Sequence, residues 1–314
     1  MISGIPPVII FLLGALLVPW LKGRAKVGLL LVVPVVAFVN LLLLPDGTSW
    51  TYNFLGHQLI FANVDKLSLC FGYIFCIAAF AGMLYGLQER DDRQYVTMFV
   101  YVGSSIGAVF AGDYLTLFLF WELMTFSAAV LIWAGNTEAA GKAGMHYLLV
   151  HVFGGFCLLA GIVIQTSKTG STEFGYLGLD GLGSILIFLA FIINAAIPPL
   201  HAWLTDSYPE STIAGTVFLT AYTTKTAVYV LARAFPGEDI LIYLGAFMTV
   251  YPIFYAVIEN DARRVLAYSM VNQVGFMITG IGIGTALALN GAVSHAFNDI
   301  LFKSLLMMSV GAVM

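Results

Sequence analysis

The sequence predicts an all-α integral membrane protein with about eleven transmembrane helices. Two observations carry that expectation, and a third shapes it. The 314 residues are 60% hydrophobic and only 10% charged, with a mean hydropathy of +0.95, whereas an ordinary soluble domain carries roughly 25% charged residues. The apolar residues fall into successive runs close to the ~20 residues that a helix needs to cross a bilayer. One run is interrupted by paired prolines, which predicts a break inside the membrane.

The expected spans are 5–21, 27–44, 65–86, 95–111, 113–134, 143–165, 181–207, 211–234, 239–258, 265–285 and 291–313. Polar links such as "KGRAK", "QERDDRQ", "GNTEAAG", "PGED" and "ENDARR" separate them, and the longer stretches 45–64 and 166–180 read as links too. The first run has no basic leader and no small-residue cleavage site after it, so it reads as a retained helix rather than a signal peptide. In the seventh span, "AAIPPLHAW" holds Pro198 and Pro199. Proline removes a backbone donor and clashes with the preceding turn, so this helix is expected to kink or break there.

Cys70, Cys76 and Cys157 lie inside apolar runs without metal-ligand spacing, which suggests packing residues rather than a disulfide frame or a metal site. The net charge of −4 is spread over the links, and no basic patch suits nucleic acid. There is no Walker A motif, no GxGxxG in a strand-to-helix context and no CxxC. An autonomous ATPase or redox enzyme is therefore not expected, nor is a bound cofactor.

Orientation follows from Lys and Arg, which favour the cytoplasmic side. With the N-terminus outside, the cytoplasmic links carry Lys22, Arg24, Lys26, Arg90, Arg93, Lys142, Arg263 and Arg264, against Lys66, Lys168 and Arg233 on the other side. This arrangement puts the C-terminus in the cytoplasm and the protein in the plasma membrane.

Seven ionisable residues remain near mid-span: Glu122 in the fifth span, His146 and His151 in the sixth, Lys225 in the eighth, and His295, Asp299 and Lys303 in the eleventh. At about 1.5 Å per residue, Glu122 lies roughly 14 Å into its span, close to the midplane. A charge there costs about 2.5–3.5 kcal/mol on insertion scales, so such residues face one another or internal water and commonly serve proton or ion pathways. The plain alternatives are a static ion pair for Glu122 or Lys225 and a helix–helix hydrogen bond for His146 or His151. His295, Asp299 and Lys303 follow at i, i+4 and i+8, along one helix face. Sites at similar depth in three spans suit a lateral relay, in which moving one proton alters the balance at the next site.

Four stretches then resemble a known family: "FWELMTFSAAVLIW" at 120–133, "PPLHAWLTDSYPESTIAGTVFLTAYTTKTAVYVLAR" at 198–233, "ENDARRVLAYSMVNQVGFM" at 259–277 and "SHAFNDILFKSLLMMSVGAV" at 294–313. They are similar to the antiporter-like membrane subunits of respiratory complex I, membrane-bound hydrogenases and Mrp-type Na⁺/H⁺ antiporters, with the D-type Mrp protein the nearest in flavour. The resemblance implies two inverted five-helix repeats, each with a broken helix. Residues 1–94 would hold the first three helices, 95–237 a complete first repeat (helices four to eight, the seventh broken) and 238–314 a truncated second repeat. It also implies relay roles for Glu122, Lys225, His295 and Lys303.

Two departures from the family pattern stand out. Many relatives carry a lysine seven residues before His201, and here that position is Asn194, which leaves Glu122 without the family's counter-ion; His146, His151 or Lys225 are the candidates to replace it. Asp299 stands where a further histidine often precedes the lysine by four. The sequence also stops in apolar residues at "SVGAVM", so a further chain supplying C-terminal helices, or a longer protein, is expected. The resemblance implies a subunit that translocates H⁺, with Na⁺ as the second candidate cation, among other membrane subunits of an antiporter or a complex I-like redox complex. The competing reading is a structural or assembly subunit with a degenerate pathway.

Overall fold

The computed structural model describes residues 5–54, 57–89 and 91–313; Arg90, counted above for orientation, lies outside them. The chain is mostly helical. Two helices, α1 (Pro7–Leu17) and α2 (Gly23–Leu43), precede a hairpin of β1 (Ser49–Phe54) and β2 (His57–Asn63). Then come α3 (Lys66–Tyr85), α4 (Asp92–Phe110), α5 (Tyr114–Trp133), α6 (Glu138–Thr169), α7 (Leu182–Asn194) and the short α8 (Ala202–Ser207). The series closes with α9 (Ile213–Ala221), α10 (Thr223–Ala234), α11 (Asp239–Ile258), α12 (Ala262–Ile283) and α13 (Ala286–Val313). Among the described residues, seven helices are long and apolar enough to cross a membrane: Gly23–Leu43, Lys66–Gln88, Tyr114–Trp133, Glu138–Thr169, Asp239–Ile258, Ala262–Ile283 and Ala286–Val313. The protein is an integral membrane protein.

The expected break at the paired prolines is present. Helix α7 stops at Asn194 and α8 starts at Ala202, with Ala196 in a left-handed conformation at φ 56°. The prolines cannot donate to a helical ladder. The Ile193 carbonyl at the end of α7 accepts the Ala196 N–H at 3.0 Å and, as a second donor, the Trp203 indole N–H of α8 at 3.0 Å, which ties the two half-helices together.

Two expectations need correction. The segment 211–234 is not one helix: Tyr222, at φ −113° and ψ −63°, separates α9 from α10. Nothing in "LTAYTTKT" announces this, because it holds neither proline nor glycine. The stretch 45–64 is not a plain link but an antiparallel hairpin with a bulge between Trp50 and Thr51. Its aromatic and β-branched residues suit a pleated, half-buried surface.

The hairpin fixes the start of α5. Asp113 is fully buried, and its carboxylate accepts the N–H groups of Leu115 and Thr116 at 2.9 Å, the Thr116 hydroxyl at 2.6 Å and the Ile60 N–H of β2 at 2.6 Å. Gly112 donates to the Ile60 carbonyl at 3.0 Å, and a Cβ there would run into the Ile60 side chain. From the opposite side, the Phe174 N–H reaches the Gly112 carbonyl at 3.0 Å and the Tyr114 N–H reaches the Thr172 carbonyl at 2.8 Å. The helix that carries Glu122 is thus gripped by both long links.

Polar contacts sort into two ends. At one, Lys26 pairs with Asp92 at 2.6 Å, Thr212 donates to Gln94 at 2.9 Å and Arg263 donates to the Ser211 carbonyl at 3.0 Å. At the other, Lys168 pairs with Asp180 at 3.1 Å, while Arg233 pairs with Asp65 at 2.6 Å and donates to the Tyr229 hydroxyl at 2.8 Å. Burial pushes the Asp65 carboxyl up, but the Ser68 N–H and the Arg233 guanidinium outweigh it and hold the group below its usual range. The stabilisation from a lowered carboxylate is present above its unfolded value and is lost as pH falls through the folded one.

Two outcomes follow. Asp113→Ala strands buried donors at a helix start and removes about 2 kcal/mol of stability, read as a lower melting temperature of the purified protein in detergent. Arg233→Ala lowers the melting temperature near neutral pH, and its deficit against the wild type narrows in acid below the Asp65 transition; an equal deficit at every pH would contradict the pairing.

Candidate functional site

Helix α10 lies at the centre, against α4, α7, α12 and α13, and Thr223, Thr224, Lys225 and Thr226 are fully buried. Enclosing so polar a segment is costly: the Thr223 and Lys225 groups find partners, while the Thr224 and Thr226 hydroxyls have none among the described residues. The Lys225 ammonium meets Asp299 Oδ2 of α13 at 2.8 Å, with both side chains 0% exposed. It also donates to the Thr220 carbonyl at 3.2 Å. That carbonyl belongs to the last turn of α9, where helical carbonyls lose their regular partners.

No aligned hydrogen-bond donor reaches either Asp299 oxygen among the described residues, so the pair is a bare electrostatic contact. Lys303, one turn along α13 and nearly fully buried, donates to the Ser269 hydroxyl of α12. The structure therefore brings Lys225, Asp299 and Lys303 together across two helices. His295, one turn before Asp299, is half-buried, with Nε2 unpartnered and its ring edge-on to Phe276 at 5.9 Å. It lines a groove of about 420 Å³ between α11, α12 and α13.

Glu122 is half-buried, and its Oε1 has no hydrogen-bond partner. Its carboxylate lies over Gly155 of α6, where any Cβ would collide with it. Beside Gly155, a Cβ on Gly154 would sit 3.9 Å from Asn194 Oδ1. Asn194 is fully buried and neither amide atom has a partner. Gly155 thus lets α5 bring the Glu122 carboxylate against α6, beside the stretch where the unpaired Asn194 amide of α7 lies within ordinary contact distance of Gly154. Among the described residues, no ion pair to Glu122 is present.

His151 lies one turn from Gly155 on α6 and is fully buried. Its Nδ1 is 2.9 Å from the Tyr147 carbonyl. A carbonyl only accepts, so Nδ1 carries the proton and Nε2, which has no partner, keeps its lone pair free. The ring stacks on Tyr147 at 3.9 Å and meets Trp203 edge-on at 4.4 Å. His146 does not join this set. Five residues separate the two histidines, about 140° around a helix, and His146 is exposed, beside Lys142, Asp206 and Arg264 at a polar end. His201 is half-buried, edge-on to Tyr251 at 5.3 Å, with Nδ1 unpartnered.

Between the two groups stands Thr223. Its hydroxyl is 2.6 Å from the Tyr101 hydroxyl of α4 and 3.4 Å from that of Tyr147. Tyr101, Tyr147, Thr220, Thr223, Ser269 and Gly155 are absent from the expected set, because a hydroxyl or a glycine in an apolar run carries no charge to flag it. Among the described residues, no three His, Cys, Asp or Glu side chains gather as a metal site. The unpartnered atoms of Glu122, Thr125, His151, Asn194, Thr224 and Asp299 are polar groups of the kind that hold internal water or protons.

Residues 111–314 match the family described as NADH:quinone oxidoreductase/Mrp antiporter, TM. The chain belongs to that family. It is 26% identical over 244 residues to the D-type Na(+)/H(+) antiporter protein of Alkalihalophilus pseudofirmus, covering 71% of this chain and 50% of that protein. An uncharacterized protein of Methanocaldococcus jannaschii is 26% identical over 334 residues, covering 96% of this chain and 68% of that one. Among solved structures, a chain of the membrane-bound sulfane sulfur reductase, an archaeal respiratory membrane complex, superposes with a TM-score of 0.86 at 23% identity, over 98% of this chain and 56% of that chain. The last likeness is one of fold. The chain spans between half and about two thirds of the length of these relatives.

A buried pair without one partner is worse than no pair, by about 3–5 kcal/mol. Asp299→Leu alone is therefore expected to reduce the amount of folded protein recovered from membranes sharply. Lys225→Met combined with Asp299→Leu should restore most of it, and a double variant as poor as the single would show that the two charges do not support each other.

Proposed function

We propose that this chain is a proton-translocating membrane subunit of a larger assembly, an antiporter or a complex I-like redox complex, in which Glu122, Lys225, Asp299, Lys303 and His295 form a lateral relay. The single observation that supports this most is the fully buried Lys225–Asp299 contact in line with Lys303. Taking one proton from Lys225 changes the charge that Asp299 and Lys303 face, so a proton moved at one of the three sites is felt at the other two. His151, Asn194 and His201 would support the Glu122 side, where Gly155 makes room for the carboxylate and α7 breaks before Pro198 and Pro199.

In this reading the chain crosses the plasma membrane eleven times, with α7–α8 and α9–α10 each counted as one broken span. The end carrying Lys26, Arg263 and Arg264 faces the cytoplasm, and Arg233 and Lys168 lie outside. Residues 95–237 form one inverted repeat and 238–314 the start of a second. Its partners are other membrane subunits of the assembly, and H⁺, exchanged for Na⁺ where the assembly is an antiporter, is the cargo.

The test uses inverted vesicles from cells that carry the native assembly. A pre-formed ΔpH is allowed to collapse on addition of Na⁺, and a separate sample builds ΔpH from an electron donor. Glu122→Gln is expected to lose whichever activity the wild type shows, by about a hundredfold for removal of one essential proton carrier. Wild-type rates in Glu122→Gln and in Lys225→Ala would point instead to a structural subunit.

A further inference from the structure

The break at Tyr222 is built, not incidental, and it makes half of the Lys225 site. Where α9 ends, the Thr220 carbonyl has lost its regular helical partner and accepts the Lys225 ammonium at 3.2 Å. Where α10 begins, the Thr223 N–H has likewise lost its helical acceptor, and it donates to the Tyr101 hydroxyl at 3.1 Å. The same two residues are joined again through their hydroxyls, 2.6 Å apart. Tyr101 is fully buried, and its ring packs edge-on against Tyr222 at 5.5 Å. Tyr222 in turn donates its own hydroxyl to the Phe75 carbonyl of α3 at 3.0 Å. The break is thus held from α4 and α3 by two aromatic hydroxyls, in a segment with no proline or glycine to cause it.

We propose that Tyr101, through Thr223, is a positioning residue: it keeps the eighth span broken so that the Lys225 ammonium stays between the Thr220 carbonyl and the Asp299 carboxylate. A regular helix through Tyr222 would return the Thr220 carbonyl to the backbone ladder and take it from Lys225. Tyr101 bonds to Thr223 and not to Lys225 or Asp299, so its effect passes through the backbone. This inference rests on the relay reading of Lys225.

The experiment compares Tyr101→Phe, Thr223→Ser, Thr223→Val and Lys225→Ala in vesicles carrying the native assembly. Proton translocation is expressed per assembled complex, counted on a native gel. Tyr101→Phe keeps the ring and loses only the hydroxyl. It removes both contacts to Thr223, the acceptor of its N–H and the partner of its hydroxyl, and is expected to assemble normally and to run about tenfold to a hundredfold slower. Thr223→Val keeps the backbone bond to Tyr101 and loses only the hydroxyl, so it should run about threefold to tenfold slower than the wild type, a smaller loss than in Tyr101→Phe. Thr223→Ser, which retains the hydroxyl, should restore the wild-type rate. Lys225→Ala with no translocation and Tyr101→Phe at the wild-type rate would overturn the positioning role while leaving the relay intact. Equal impairment in Thr223→Ser and Thr223→Val would also overturn it, because the hydroxyl would then not matter. Lys225→Ala at the wild-type rate would remove the relay reading and the positioning role with it. If Tyr101→Phe fails to assemble, the Thr223 pair decides alone.

Discussion

The whole interior is arranged around one electrostatic constraint, a lysine and an aspartate that meet with no exposure to solvent. An ammonium and a carboxylate taken from water lose several kcal/mol of hydration each. The surrounding helices therefore have to enclose the pair tightly from every side, while α9 turns a carbonyl toward the ammonium. This explains why a polar helix, α10, holds the most enclosed position in the molecule and why the apolar helices lie around it. Lys303 and Ser269 extend the same polar seam between α12 and α13. The fold reads as an apolar jacket built about a charged axis, the inverse of a soluble domain.

The Glu122 side obeys a different rule. Its carboxylate and the Asn194 amide are unpaired, and the space the carboxylate occupies exists because α6 offers Gly155 rather than a side chain. Thr223, touched by hydroxyls from α4 and α6, is the point where this side approaches the charged axis. The chain thus carries buried charges that face each other on one side and a carboxylate with no counter-ion among the described residues on the other. That asymmetry matches the departures from the family pattern, a neutral residue at 194 and an acidic one at 299.

Much of this was legible in the residues. The charges stood out because their insertion cost is large and the surrounding runs are apolar, and the proline pair announced the first break through its missing donors. The hairpin at 45–64 was hidden because a polar stretch between two spans satisfies the reading of a link equally well. The second break was hidden for a deeper reason: it is caused by a tertiary contact from Tyr101, more than a hundred residues away, and no local propensity encodes it. His146 was grouped with His151 by depth alone, although their angular separation on the helix already set them on different faces. Pairing was the least legible level of all. Four charges at similar depth allow several matings, and only packing selects Lys225 with Asp299.

The two breaks have a mechanical consequence. A continuous helix across a bilayer is a rod whose ends must swing if its middle is to shift. Here α7–α8 and α9–α10 are each two short rods with a joint between them. The outer ends of α9–α10 are moored, by Arg233 to Asp65 on one side and by Ser211 to Arg263 on the other. A displacement at the joints can then be absorbed by small counter-rotations of the half-rods, without disturbing either moored end. The chain is stiff where it meets water and compliant at its centre.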